Sequence, residues 1–212
     1  MGRHLIWDWN GTLLDDITLV VAACNDAFAS VGGPVIDVDE HRRSFRRPIM
    51  DYYAEALRRP VDADEFARLD KIFHDSYRVA LPECELREGV VDALTGWGPR
   101  QSLLSMWFHD ELVPCVDGYG LTEFFQRIDG LRAEVGGDSK AASLAAHLGA
   151  LGLAGADAVL IGDTVDDAHA AASVGAAVVL VGGGFTDAER LRAHGVPFAE
   201  TIPEAVALAA AL

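Results

Sequence analysis

Apolar residues change their spacing along this chain, and each change marks a different kind of element. His4 to Asp8 (HLIWD) is a short apolar run that ends on an acid and meets the turn signal Asn10-Gly11-Thr12. That pattern predicts a buried strand with Asp8 at its C-terminal tip. Ile17, Val20, Val21, Cys24 and Phe28 then recur at helical spacing until Val31-Gly32-Gly33-Pro34 stops them. Phe66, Leu69, Phe73, Tyr77 and Ala80 predict a second long helix, with Asp62 and Glu65 as a capping box ahead of it. Residues 16–86 read as entirely helical.

After Glu88-Gly89 the pattern turns to short apolar strands, at 102–105, 127–129, 158–161 and 177–181, alternating with helices. Ser139 to Leu148 and Val165 to Val174 supply two of those helices, and Pro203 to Leu212 an Ala-rich terminal one. Such alternation predicts an α/β fold, a Rossmann-like parallel sheet covered by helices on both faces. The first strand belongs to the same sheet, so the helical block is an insertion. The expected organisation is a core of residues 1–15 and 87–212 with an all-helical cap domain at 16–86.

Length and charge narrow the partners. A chain of 212 residues, half of them hydrophobic, is enough for one buried core plus a small second unit. A formal charge of -16 repels a phosphate-rich polymer, so no nucleic-acid partner is expected. A small phosphorylated metabolite drawn into a local positive pocket fits better. No apolar window approaches the roughly 20 residues of a membrane span, so no membrane partner is expected. Cys24, Cys84 and Cys115 are far apart, odd in number and without CxxC spacing, as expected of a cytoplasmic protein in a reducing compartment.

In an open parallel sheet, ligands gather beyond the carboxyl ends of the strands. Asp8 ends the first strand, Ser105 the second strand of the core, Gly162-Asp163 follow Val159 to Ile161, and Lys140 opens the helix before them. Together they offer a carboxylate able to attack, a hydroxyl and an ammonium to hold an anion, and further carboxylates for a hard cation. Phosphoryl transfer needs little more, because it rests on positioning and on neutralising the phosphoryl oxygens. Magnesium keeps several waters and is satisfied by one or two protein carboxylates; Asp163 and Asp167, four apart around a helix start, share a face.

Asp8-Trp9-Asn10-Gly11-Thr12, Ser105, Lys140 and Gly162-Asp163-Thr164-Val165-Asp166-Asp167 resemble the four ordered motifs of the haloacid dehalogenase-like hydrolase superfamily. The helical block is similar to the small cap of its phosphoglycolate phosphatase-like branch. The resemblance implies a magnesium-dependent phosphatase acting on a small phosphate monoester, phosphoglycolate-like by default. In it Asp8 would attack phosphorus and become an aspartyl-phosphate, Ser105 would hydrogen-bond a phosphoryl oxygen, and Lys140 would neutralise charge and orient Asp8. Asp163 would bind the metal directly, Asp167 directly or through water, and Asp8 and the main-chain carbonyl of Asn10 would complete the ligands. Thr12 and the cap residues Arg46 and Arg47 would meet the substrate, guanidinium groups being suited to carboxylate or phosphate.

One position departs from the pattern. Phosphatases of this superfamily usually carry a second Asp two residues after the nucleophile, as general acid and then base; here it is Asn10, which can hydrogen-bond but not exchange the proton. Three readings compete: slow turnover or substrates whose leaving group needs no proton, another group such as Asp15, Asp16 or His109 in the acid's place, or a non-catalytic phosphometabolite-binding or interaction protein. Phosphonatase chemistry is disfavoured because Phe45-Arg46-Arg47-Pro48 has no lysine for a Schiff base. Metal-free dehalogenase chemistry is disfavoured by GDTVDD. Trp9 and Trp107 either wall the site or pack.

Overall fold

Alternation of side chains across each strand splits the core into two layers. Leu5 and Trp7 of β1 (His4–Trp7), Val159 and Ile161 of β4 (Ala158–Gly162), and Val179 and Val181 of β5 (Ala177–Val181) face one side. Ile6, Leu160, Val178 and Leu180 face the other. Strands apolar on both faces are what a parallel sheet buried between helices requires. The computed structural model describes residues 2–133 and 139–212; Met1 and 134–138, within the stretches expected to form the core, lie outside them.

The sheet has six parallel strands in the order β3-β2-β1-β4-β5-β6, with β2 at Gln101–Phe108, β3 at Ile128–Leu131 and β6 at Phe198–Ala199. On the face of Leu5 and Trp7 lie α5 (Val90–Trp97), α6 (His109–Gly118) and α10 (Ile202–Ala211); on the other lie α7 (Ala141–Leu151), α8 (Val165–Val174) and α9 (Ala188–Ala193). Between β1 and α5 the chain is taken up by α1 (Ile17–Ala29), α2 (Val38–Ser44), α3 (Ile49–Ala56) and α4 (Ala63–Ala80). Val20, Cys24 and Phe28 of α1 bury against Tyr53 of α3 and Phe66, Leu69 and Tyr77 of α4. Each such large side chain contributes roughly 1.5–3 kcal/mol when fully buried.

The sheet and the long helices follow the sequence pattern; the differences are local. Strand β2 runs past Ser105 to Phe108, because Met106 and Trp107 are still buried, and its pairing with β3 shifts register between Leu104 and Phe108. Ser105 therefore sits at an irregularity inside a strand, not at its end. The capping box at Asp62 is one-sided: its carboxylate accepts from Glu65 N at 2.8 Å, but Glu65 turns to Arg59, with both contacts at 2.7 Å. A complete box stands at Asp37 and Glu40, which starts α2. Among the described residues no helix is long and apolar enough to cross a membrane, and the three cysteines are free.

On the sheet face of Ile6 and Leu104, away from the crevice at the carboxyl end, lies a largely buried polar chain. His4 Nε2 and His147 Nε2 both meet Ser102 Oγ, at 2.9 and 2.8 Å, and His147 Nδ1 meets Asp129 Oδ2 at 2.7 Å. Ser102, His147 and Asp129 have the bonding order of a nucleophile, base and orienting acid, but Ser102 is 0% exposed and His147 1%, so the chain is structural. Burial, together with the charges of His147 and Arg100, pushes His4 down to about 4, and burial lowers His147 as well. An unfolded chain takes up these protons near pH 6.5. Stability from the network is therefore complete above that value and is lost as pH falls from about 6.5 towards 4. The buried carboxylates described below titrate in the opposite sense, so the expected loss, about 2 kcal/mol for His4, is read as a difference. Urea midpoints of the wild type should fall more steeply from pH 7 to 4.5 than those of His4→Gln; parallel curves would reject the assignment.

Candidate active site

The strand order turns at β1, which is flanked by β2 on one side and β4 on the other, so a crevice opens at the carboxyl ends of β1 and β4. Asp8 leaves β1 with its N–H donated to Ile161 O of β4 at 2.9 Å, and Asp163 follows β4 directly. Thr164 caps α8 and forms a capping box with Asp167: Thr164 N and Oγ1 both donate to Asp167 Oδ2, at 3.0 and 2.6 Å. Local sequence thereby fixes one oxygen of Asp167 and leaves Oδ1 to reach Lys140, the residue that precedes α7.

Lys140 Nζ also lies 2.8 Å from Asp8 Oδ1, and Asp8 Oδ1 accepts from Trp9 N at 2.8 Å. Asp163 Oδ1 accepts from Thr12 Oγ1 at 2.9 Å and its Oδ2 from Phe185 N at 2.6 Å. Gly11, at φ +70, lies so close that a Cβ there would stand 2.4 Å from Asp163 Oδ2, so this turn requires glycine for both its conformation and its contact.

Three buried carboxylates, Asp8, Asp163 and Asp167, thus present oxygens all within 4.8 Å of one another. Burial, and then the charges of Asp8 and Asp167, push Asp163 up to about 8. Burial raises Asp8 to about 6 against the pull of Lys140, with Asp167 adding to the rise. Burial opposes the charge on Lys140, but Asp167 and Asp8 hold its affinity for the proton above that of an ordinary lysine. One ammonium against three carboxylates leaves the cluster negative, and its donors are hard oxygens, with no His or Cys among them. That set fits a divalent cation of the magnesium or manganese kind rather than zinc.

Asn10 is held from three sides. Its Nδ2 donates to Asp16 Oδ2 at 2.8 Å and to Tyr77 Oη at 2.9 Å, while its Oδ1 accepts from Ser105 Oγ at 3.1 Å. Tyr77 Oη donates to Asp16 Oδ2 at 2.8 Å, and Gly11 N donates to Asp16 Oδ1 at 2.7 Å. Asp16 is 0% exposed, and burial raises it to about 6 despite those donors.

A small cavity joins Asp8, Asn10, Ser105, Lys140, Arg47 and Asp166. The structure therefore brings together most of the residues singled out from the sequence, with three corrections. Thr12 is fully buried and bonds Asp163, so it positions a carboxylate instead of facing the cavity. Arg46 turns outward to Glu55, because that partner lies on the next helix within reach; Arg47 lines the cavity, with Nε 3.9 Å from Asp166 Oδ2. His109 is engaged with Gly130 N at 3.1 Å and Arg132 at 2.7 Å, and Asp15 is exposed, which leaves Asp16 as the acid in contact with Asn10. Trp9 packs, fully buried, against Tyr119; Trp107 walls a neighbouring cavity. Asp166 is bound to Lys140 N at 2.8 Å and stands outside the carboxylate cluster. Tyr77 and the Phe185 amide were not singled out as site groups; Tyr77 showed only as an apolar-face helix position, and a main-chain N–H leaves no mark in a sequence.

The chain belongs to the haloacid dehalogenase-like hydrolase family, whose sequence model matches residues 3–175. Within that family it is similar to phosphoglycolate phosphatases. It is 27% identical over 193 residues to the phosphoglycolate phosphatase of Caulobacter vibrioides, covering 88% of this chain and 81% of that one. Phosphoglycolate phosphatase 1 of Pseudomonas aeruginosa is 25% identical over 219 residues, 96% of this chain and 75% of that protein. A haloacid dehalogenase-like hydrolase from Streptococcus pneumoniae shares the fold at a TM-score of 0.82, with 21% identity and 98% of each chain covered.

Proposed function

We propose that this protein is a magnesium-dependent phosphatase that hydrolyses a small organic phosphate monoester through an aspartyl-phosphate on Asp8. The observation that carries the reading is the placement of Asp8, held at 2.8 Å by Lys140 Nζ at the open end of the crevice, beside Asp163 and Asp167. With its proton affinity near 6, Asp8 is ionised at neutral pH and ready to attack. Its Oδ1 is committed to Lys140 and the Trp9 amide, which leaves Oδ2 to form the bond to phosphorus as the ester oxygen departs. Ser105 Oγ, now donating to Asn10, is within the same cavity and can turn to a phosphoryl oxygen. Lys140 offsets the charge on the phosphoryl group and keeps Asp8 oriented, while Asp166 holds the Lys140 main chain. Asn10, whose Nδ2 donates to Asp16 and Tyr77, has no proton to give the leaving oxygen, so esters with good leaving groups are turned over best.

Magnesium, held by Asp8, Asp163, Asp167 and the main-chain carbonyl of Asn10, would neutralise phosphoryl oxygens as a Lewis acid. The helices α1–α4 act as the cap that covers this crevice and excludes water from it. Small phosphorylated metabolites are the substrates this site suits, with glycolate as the organic part only by analogy with the relatives.

Phosphate release from 4-nitrophenyl phosphate should appear when Mg²⁺ is added to metal-stripped protein and vanish with excess EDTA. Release that survives EDTA would overturn the metal assignment.

A further inference from the structure

The geometry points to a substrate whose organic part is a planar, largely apolar group of aromatic-ring size with a hydrogen-bonding edge, rather than a short carboxylate. This deepens the phosphatase reading and rests on it. A second cavity, of about 100 Å³, adjoins the one at Asp8 and shares with it Asn10, Phe45, Arg47, Met106 and Phe185. An ester leaving oxygen placed at Asn10 therefore carries its substituent from one cavity into the other. The volume is of the order a single ring needs, since an apolar cavity of about 150 Å³ takes up benzene.

The walls are chosen for such a group. Tyr52, Phe73, Tyr77 and Trp107 line the cavity beyond the shared mouth, and Phe45 and Phe185 meet edge to face at 5.4 Å at its entrance. Arg47 is the one Lys or Arg among the described lining residues, and it stands at the phosphoryl end, 3.9 Å from Asp166. Further in, the charged group is the carboxylate of Asp70, which opposes a second anion. Arg42 and Arg190, two nearby guanidinium groups, are taken by main-chain carbonyls of Gly183, Gly184, Arg42 and Phe45. A glycolate carboxylate would thus enter a cavity whose described lining has no Lys or Arg in its depth.

Two buried polar atoms supply the hydrogen-bonding edge. His41 is 1% exposed and lines the cavity; its Nδ1 meets Tyr52 Oη at 2.8 Å, but its Nε2 has no hydrogen-bond partner among the described residues. His74 Nδ1 is likewise unpartnered there, while its Nε2 faces Asp70 Oδ1 at 3.5 Å. Buried polar atoms are nearly always satisfied, so these are positions for ligand atoms. Burial keeps His41 down at about 3, hence neutral and able to bond an uncharged heteroatom.

Paired esters with similar alkyl leaving groups separate pocket recognition from leaving-group chemistry. With Mg²⁺ present, kcat/KM for 2-phenylethyl phosphate should exceed that for ethyl phosphate by roughly 10- to 100-fold, the value of burying one phenyl ring. A ring hydroxyl scanned around that substrate should raise the ratio further at one position, and His41→Leu should remove that increment. A ratio near one, or a preference for 2-phosphoglycolate over 2-phenylethyl phosphate, would overturn the inference and leave the phosphatase reading standing. Ile49→Trp, which fills the cavity from α3, should bring the ratio towards one with the circular dichroism spectrum retained; an unchanged ratio would place the ring elsewhere. Calorimetric titration with benzylphosphonate and methylphosphonate reads the pocket without turnover. Tenfold tighter binding of the benzyl compound supports it even if no ester is hydrolysed, the result that would remove the phosphatase reading alone, and equal affinities reject it.

Discussion

Asp8→Asn should lower phosphate release from 4-nitrophenyl phosphate by roughly 10⁴-fold or more, the scale on which loss of a covalent nucleophile is felt. The amide oxygen can still accept from Lys140 Nζ and Trp9 N, both at 2.8 Å in the native protein, so the local hydrogen bonds survive. What is lost is the charge and the lone pair that form the bond to phosphorus. The same substitution removes one of three carboxylates buried within 4.8 Å of each other, and so relieves repulsion. The thermal midpoint of the metal-free variant should therefore be equal to or above that of the wild type. A fall in activity with an unchanged or raised midpoint assigns Asp8 to chemistry; retention of a tenth of the wild-type rate would remove it from that role.

Asn10→Asp should raise kcat on alkyl phosphates by about 10²-fold, the lower end of what general acid–base transfer contributes. The gain on aryl phosphates should be smaller, since their leaving groups need the proton less. The surroundings of Asn10 limit this gain. Asp16 Oδ2 lies 2.8 Å from Asn10 Nδ2, and Asp16 is already raised to about 6. A second carboxylate there would share one proton with Asp16, shifting the pH optimum upward and lowering stability. Combining Asn10→Asp with Asp16→Asn keeps one acid and one amide in contact with Tyr77, and should give the larger rate without the loss of stability. If neither variant gains even tenfold on an alkyl phosphate, a missing proton donor is not what Asn10 imposes.

The predictions rest on different amounts of sequence information. Asp8, Lys140, Asp163 and Asp167 were legible because each lies at a strand end or helix start, where short-range patterns of period 2 and 3.6 place a residue within a position or two. The Thr164–Asp167 capping box is likewise written locally, in GDTVDD. The facing of Thr12, Arg46 and Arg47 was not. Adjacent arginines share a backbone, and their directions depend on Glu55, nine residues from Arg46, and on Asp166, far along the chain from Arg47. Strand β2 exceeded its expected length for a similar reason: Met106 and Trp107 are covered by neighbours from elsewhere in the chain.

By itself, the sequence determined the parallel sheet with its helical insertion, and the order in which a nucleophile, a hydroxyl, an ammonium and a pair of acids reach the carboxyl end of that sheet. Hydrophobic periodicity and turn chemistry are local, and they suffice for that. Only the tertiary structure decided what surrounds Asn10 and what shape the substrate's organic part must have. The Asp16–Asn10–Tyr77 contacts and the aromatic cavity join β1 and β2 to helices from distant parts of the chain. Burial there sets which carboxylates hold their protons and which ligand groups are welcome, and burial is a property of the packed whole.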